Sequence, residues 1–399
     1  MHRVTVTRGV VAAASLVLSA LAACSLTASP GDYAQGGNKD AAAPRPPVPA
    51  GGARILLVGG QRKTVDGLDN EWAIKETIAG IIEADGTVGQ FFYERVPPVE
   101  TTDYVQATVD NGRLLVASLV RTRGTFDLTP PRLAFARVDT ASGAIVNDWS
   151  TVDVGDASAL KQSASVSLVR PTLLVASGGN LNIRGEDGGP PTTEFNANVF
   201  SASVDLENRK MGDWVPSSGP LSAARSGARS LVYKDFLYVV GGRNEAGVSD
   251  VVDVARLGAD GKPGAFAATT KLPAPTLVPE VIAVAGKLVV VGGVGRDSHV
   301  TAKVFSAPIN EADGTLGPWV EGPAMPEPLA LGAPLLHKNK LYYFGGVAQK
   351  FDDAGGVIDQ NPTDGISALD VAADGTLGAW SQAGKLPAPR GGLAAVVLP

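Results

Sequence analysis

Arginine recurs at one kind of place in this chain. Arg62, Arg121, Arg184, Arg243 and Arg296 each follow closely on a short apolar run that ends in small residues, and Lys350 takes the sixth such place. Arg225 and Arg390 stand ahead of a different recurring apolar run. A guanidinium presents a planar fork of donors that matches carboxylate and phosphate oxygens, so these residues gathered at one mouth would hold an anionic ligand. Local ion pairing is the competing use, because Asp66, Asp127, Glu186, Glu245, Asp297 and Asp352 lie beside them in sequence. Trp72, Phe126, Phe195 and Phe351 share the same segments, as platforms for a sugar or peptide or as plain loop anchors.

Other chemistry has less to work with. The histidines are His2, His299 and His337. His299 with Asp297 has the makings of a base and its orienter, and equally of a solvated loop pair. No G-x-S-x-G elbow, H-E-x-x-H or phosphate-binding loop motif occurs. The acidic stretches 184–189 and 352–365 lack the spacing of a calcium loop. The single cysteine, Cys24, excludes an intramolecular disulfide and any multi-cysteine metal site. No cofactor and no metal site are expected. The formal charge of −6 signals no basic face, so no nucleic-acid partner is expected either.

The elements that must position these residues repeat. Apolar runs closing in small residues occur as ILLVGG (55–60), LLVAS (114–118), LLVASGG (173–179), LYVVGG (237–242), LVVVGG (288–293) and LYYFGG (341–346). Such continuous β-formers suit strands buried on both faces, and the glycines let the backbone turn. A polar segment follows each run, then a second apolar stretch, a turn and an aromatic: Phe91, Trp149, Trp214, Phe266, Trp319 and Trp380. Asp-Gly at 85, 260, 313 and 374 predicts tight primed hairpins, with the aromatic just inside the following strand. A third apolar stretch precedes each small-residue run, as in 226–233, 281–286, 333–339 and 391–398. Four antiparallel strands per unit make one propeller blade.

These marks resemble the kelch family: Gly-Gly after an apolar strand, an aromatic some way on, and Arg225 and Arg390 opening an innermost strand. The DGTLGxW form at 313–319 and 374–380 looks like a bacterial variant of it. The chain departs where Ala-Ser replaces Gly-Gly in the second repeat and where Thr276 and Leu329 replace the arginine. The fold expected is all-β: a six-bladed kelch-like β-propeller over residues 53–399. Its C-terminal strand should complete the first blade, since the repeats begin at a second strand and end at a first one. The resemblance implies partner binding on the face of the long loops, here 61–75, 120–131, 180–196, 243–250, 294–300 and 347–364.

Arg3 and Arg8 precede an apolar stretch at 10–23, which is short for a membrane span and suited to a signal peptide. It ends in Leu21-Ala22-Ala23-Cys24, which resembles the lipobox of bacterial lipoproteins and implies lipidation of Cys24. Residues 1–23 are therefore read as a lipoprotein signal peptide. Residues 24–52, rich in Ala, Pro and Gly, are read as the lipidated cysteine and a flexible tether. Ser25 after the cysteine resembles the outer-membrane sorting choice, with the side of display open.

The function expected is that of a lipid-anchored cell-envelope binding or scaffold protein, a monomeric propeller that holds a protein or glycan partner on its long-loop face. The ligand residues expected are Arg62, Arg121, Arg184, Arg225, Arg243, Arg296, Arg390 and Trp72. One alternative is an enzyme of mutarotase or lyase type acting on anionic carbohydrate at the channel mouth, for which the resemblance to kelch-like proteins implies an Arg and Glu set, here Arg225 or Arg390 with Glu280 or Glu327, although no motif singles these residues out. Another is a structural subunit of an envelope complex, which would carry an apolar patch on its rim.

Overall fold

The computed structural model describes residues 46–398 apart from 61, 64–69, 72–75, 95–103, 111, 120–131, 140–141, 147–148, 154–164, 171–172, 184–191 and 352–356. Among the described residues every regular element is a β-strand and none is a helix. The strands form antiparallel meanders stacked in a propeller-like arrangement. Three separate sheets have four strands: Tyr104–Asp110 through Ser150–Val152, Arg229–Tyr233 through Ala267–Ala268, and Glu280–Val284 through Val320–Glu321. A fourth, from Ser165–Arg170 to Val215–Pro216, has five.

The largest sheet has eight strands in two antiparallel runs. One run carries Ala333–His337, Lys340–Phe344, Gly365–Asp370 and Ser381–Lys385 in order. The other carries Ala394–Val397, Ala53–Val58, Thr77–Ile82 and Val88–Tyr93. A single parallel bridge, Gly384 to Val88, joins the two runs. The C-terminal strand pairs with the N-terminal one, Val58 opposite Ala394 and Ile55 opposite Val397, as the chain ends predict. The first strands of the meanders touch in cyclic order from Tyr104–Asp110 round to Ala394–Val397 and back.

The core lies between neighbouring sheets. Tyr238, Val240 and Val254 of one sheet pack with Leu288, Val290 and Ile309 of the next. The Gly-Gly pairs make this stacking possible. Gly292 and Gly293 adopt φ of 61° and 101°. There Gly293 N–H donates to Leu329 O at 3.0 Å, on the segment entering the next sheet. A Cβ at Gly292 would collide with that same carbonyl.

Two local expectations need correction. The Asp-Gly turns are longer than two-residue primed ones: those at 85, 260 and 374 are three-residue loops, as where Glu83 N–H donates to Thr87 O, Gly86 N–H donates to Glu83 O and only Gly86 has positive φ, and that at 313 is a four-residue loop closed by Asn310 N–H donating to Thr315 O. Asp85 instead caps its own turn, accepting from Thr87 N–H at 2.8 Å and its hydroxyl at 2.7 Å. The aromatics are also displaced. Only Phe91 lies within a strand, whereas Trp149, Trp214, Phe266, Trp319 and Trp380 stand one residue before the outermost strand. From there the indole of Trp319 donates to Thr270 O at 3.1 Å and that of Trp380 to Pro323 O at 3.0 Å, each on the preceding sheet.

Candidate anion-binding site

A meander of four strands has its first-to-second and third-to-fourth connections at one end and the others at the opposite end. The Asp-Gly turns mark the first end. The second carries the long segments, and four of these are not bare loops but two-stranded hairpins. Arg62–Lys63 pairs with Asn70–Glu71, Asn180–Ile183 with Thr192–Phe195, Arg243–Asn244 with Gly247–Val248, and Val347–Phe351 with Val357–Pro362. Sequence reading missed them because two to six residues of mixed polarity carry no alternation strong enough to stand out.

Arg225 and Arg390, expected at the channel mouth, are fully buried and consumed by the fold. Arg225 Nη1 lies 2.7 Å from Asp253 Oδ2, with both side chains at 0% exposure. It also donates to Ala223 O, and Nη2 donates to Val239 O, each at 3.0 Å. Arg390 Nη2 lies 3.0 Å from Glu76 Oε2. In each case the arginine leaves the Gly-Gly of one sheet and plants its charge in the next: Gly179 N–H donates to Arg225 O and Gly346 N–H to Arg390 O. Neither carboxylate partner is close to its arginine in sequence. Thr276 and Leu329 hold the equivalent backbone place in two further sheets, Thr276 bonding Ala274 O and Leu329 joining the apolar core.

Arg243 and Arg296 are different. Both are exposed, and neither has an ion-pair partner among the described residues. Arg243 opens its hairpin directly after Gly241–Gly242, and its backbone is clamped to Ser226 by two hydrogen bonds of 2.8 and 2.9 Å. Arg296 sits on a tight turn closed by Gly295 N–H donating to His299 O at 2.8 Å. Asp297 Oδ1 accepts from His299 N–H at 3.1 Å, and Gln349 of the neighbouring hairpin pins the turn at Val300 N–H and Ser298 O. The two guanidiniums line one open cleft of about 360 Å³ together with Phe195, Asn244 and Ser298. Three successive long segments thus meet there, on backbones held rigid before any ligand arrives.

The other expected site residues stand as follows. Arg62 has its backbone paired opposite Glu71. Cys24, Trp72, Arg121 and Arg184 lie outside the described residues. His299 Nδ1 is 3.5 Å from Asp297 Oδ2 on the outer flank of the Arg296 turn.

A second feature lies at the long-loop end of the innermost strands. Arg229 and Glu280 begin equivalent strands in adjacent sheets and pair at 2.6 Å. Burial pushes the Glu280 carboxyl up to about 7, although Arg229 pulls it down. Tyr343 nearby is pushed well above its ordinary value, mainly by burial and then by the Glu280 charge. Arg229 was legible: it falls four residues after Arg225, as Glu280 does after Thr276.

No known family's sequence model matches this chain, and no curated relative matches it. Among solved structures it is similar to one titled "Structure of YjhT", with 15% identity and a TM-score of 0.53, covering 74% of this chain and 87% of that one. That likeness supports a β-propeller-like fold and carries nothing about function.

Proposed function

We propose that this protein is a kelch-type propeller of six blades, anchored to the bacterial envelope through lipidated Cys24, which binds an anionic group of a protein or glycan partner on its long-loop face. The observation that carries the reading is the cleft between Arg243 and Arg296. Two arginines without carboxylate partners among the described residues line one cleft, on turns closed by backbone hydrogen bonds, in a chain of net charge −6. Pairing with a ligand's carboxylate or phosphate is the use such a fork suits best.

The six-blade count is supported by the cyclic contacts of the innermost strands, with each run of the eight-stranded sheet counted as one blade. The kelch reading rests on the Gly-Gly pairs, the aromatics and the two buried arginines. Display away from the lipid is supported by the course of the chain at 46–52. This segment lies on the Asp-Gly side, where Arg54 Nη2 donates to Pro46 O at 2.6 Å and Lys338 Nζ donates to Gly51 O. A tether that joins the domain on that side, opposite the long-loop end, supports a reading in which the cleft is displayed away from the lipid. The structural-subunit alternative has less behind it: the exposed large hydrophobics among the described residues are Val146, Val215 and Val320, on separate sheets.

Isothermal titration of the full chain with galacturonate and with inorganic phosphate tests the reading. Saturable binding that disappears in the Arg243→Ala, Arg296→Ala double variant, at unchanged melting temperature, is the expected result. Binding of neither anion, or binding indifferent to the double variant, overturns it.

The enzyme reading keeps one specific support. Glu280, a buried carboxyl with its value near neutrality, is suited to proton transfer at the channel mouth. Turnover of an anionic sugar that is lost in Glu280→Gln while binding persists would favour that reading over a pure binder.

A further inference from the structure

The Arg296 turn has a cleft on each side. The first is the one shared with Arg243. The second, also about 360 Å³, is lined by Thr276, Asp297, His299, Thr301, Lys303 and Phe305, and it shares Gly295 and Arg296 with the first. Lys303 is exposed and, like the two arginines, has no ion-pair partner among the described residues. Arg243 therefore lines one hollow, Lys303 the other, and Arg296 both.

Asp297 is the one carboxylate in the second cleft, and it is turned to its own loop. Its Oδ1 accepts from His299 N–H, and its Oδ2 faces His299 Nδ1. Short hydroxyl and amide side chains fill the spaces between the cations: Asn244 and Ser298 in the first cleft, Thr276 and Thr301 in the second. Each hollow lies at the lower end of small-ligand pockets, about 300–1,000 Å³, so each suits one small unit and the two together suit joined units. Cations alternating with hydroxyl-binding groups match a chain that bears an acid and several hydroxyls on every unit.

Resting on the anion-binding reading above, we propose that the ligand is an acidic glycan chain rather than a single small anion. It crosses the Arg296 turn with one carboxylate between Arg243 and Arg296 and the next between Arg296 and Lys303. Linking two such contacts makes the second one intramolecular, so affinity rises with chain length without any new type of contact.

The test is isothermal titration of the full-length chain, at constant ionic strength, with galacturonate and with oligogalacturonides of increasing length. Oligoglutamates of matched charge serve as the comparison. The expected result is a gain of at least tenfold from the single sugar to the short oligomer. Lys303→Ala removes that gain and leaves binding of the single sugar intact, while Arg296→Ala loses both. Equal affinity for monomer and oligomer, or a gain that survives Lys303→Ala, overturns the chain-binding inference and leaves the anion site standing. Oligoglutamate binding as tight as the glycan overturns the choice of glycan. Absence of binding by galacturonate and by phosphate overturns the anion site and this inference with it.

Discussion

Replacing Arg225 with alanine separates a structural arginine from a ligand-binding one. The guanidinium has 0% exposure, a 2.7 Å ion pair to Asp253 and two carbonyl acceptors at 3.0 Å. Truncation removes all three and leaves the Asp253 carboxylate, also at 0% exposure, with only Ser222 N–H at 3.3 Å. Breaking a buried pair by deleting one partner costs about 3–5 kcal/mol, because the remaining charge is stranded in a medium that solvates it poorly. At roughly 2 °C per kcal/mol for a chain of this size, the melting temperature should fall by about 6–10 °C. Differential scanning calorimetry reads the drop. The companion Arg225→Met, Asp253→Leu variant should recover most of it, since an apolar pair of similar volume replaces a buried ion pair at little or no cost. Thr276 gives the natural precedent, as the equivalent place in the next sheet carries no charge. An Arg225→Ala protein that melts within about 1 °C of the parent but no longer binds galacturonate would refute the reasoning and return Arg225 to the ligand site.

Other expectations follow from the same coordinates. Gly292→Ala should destabilise by about 1–3 kcal/mol, as urea unfolding would show, because its φ of 61° disfavours a side chain and the added Cβ meets Leu329 O. Deleting residues 394–399 should strip Ala53–Val58 of one partner and expose an unpaired edge, read as oligomers by light scattering. Glu280 is held above its ordinary 4.5, at about 7, so the folded state binds that proton more tightly than the unfolded state. Its contribution to stability is then full below pH about 4.5 and lost as pH rises through about 7. Glu280→Gln should flatten the melting temperature over that window. From the lipidation proposed for Cys24 rather than from the fold, Cys24→Ser should move the protein from the membrane fraction to the soluble one.

The strands were legible from the sequence because a buried strand needs an unbroken apolar run and a tight turn needs glycine, and both requirements act on adjacent residues. The pairing of the two chain ends was legible too, since a repeat that begins at its second strand and ends at its first leaves each end wanting the other. The aromatics were read in the right repeats, but all except Phe91 stand one place before their strand, because the turns ahead of them are longer than two-residue hairpins. What sequence spacing left open was the fate of each charge. Arg225 and Arg390 have no acid beside them in sequence, whereas Arg243 and Arg296 have Glu245 and Asp297 close by, so sequence proximity pointed to the wrong pair as the ion-paired one. Only stacking the sheets brings Asp253 to Arg225 and Glu76 to Arg390, residues 28 and 314 positions apart, and buries both pairs. The same stacking leaves Arg243 and Arg296 on the rim, facing solvent across a shared cleft. Burial and pairing arise from contacts between distant segments, so the difference between a lock and a ligand site was decided by the tertiary structure alone.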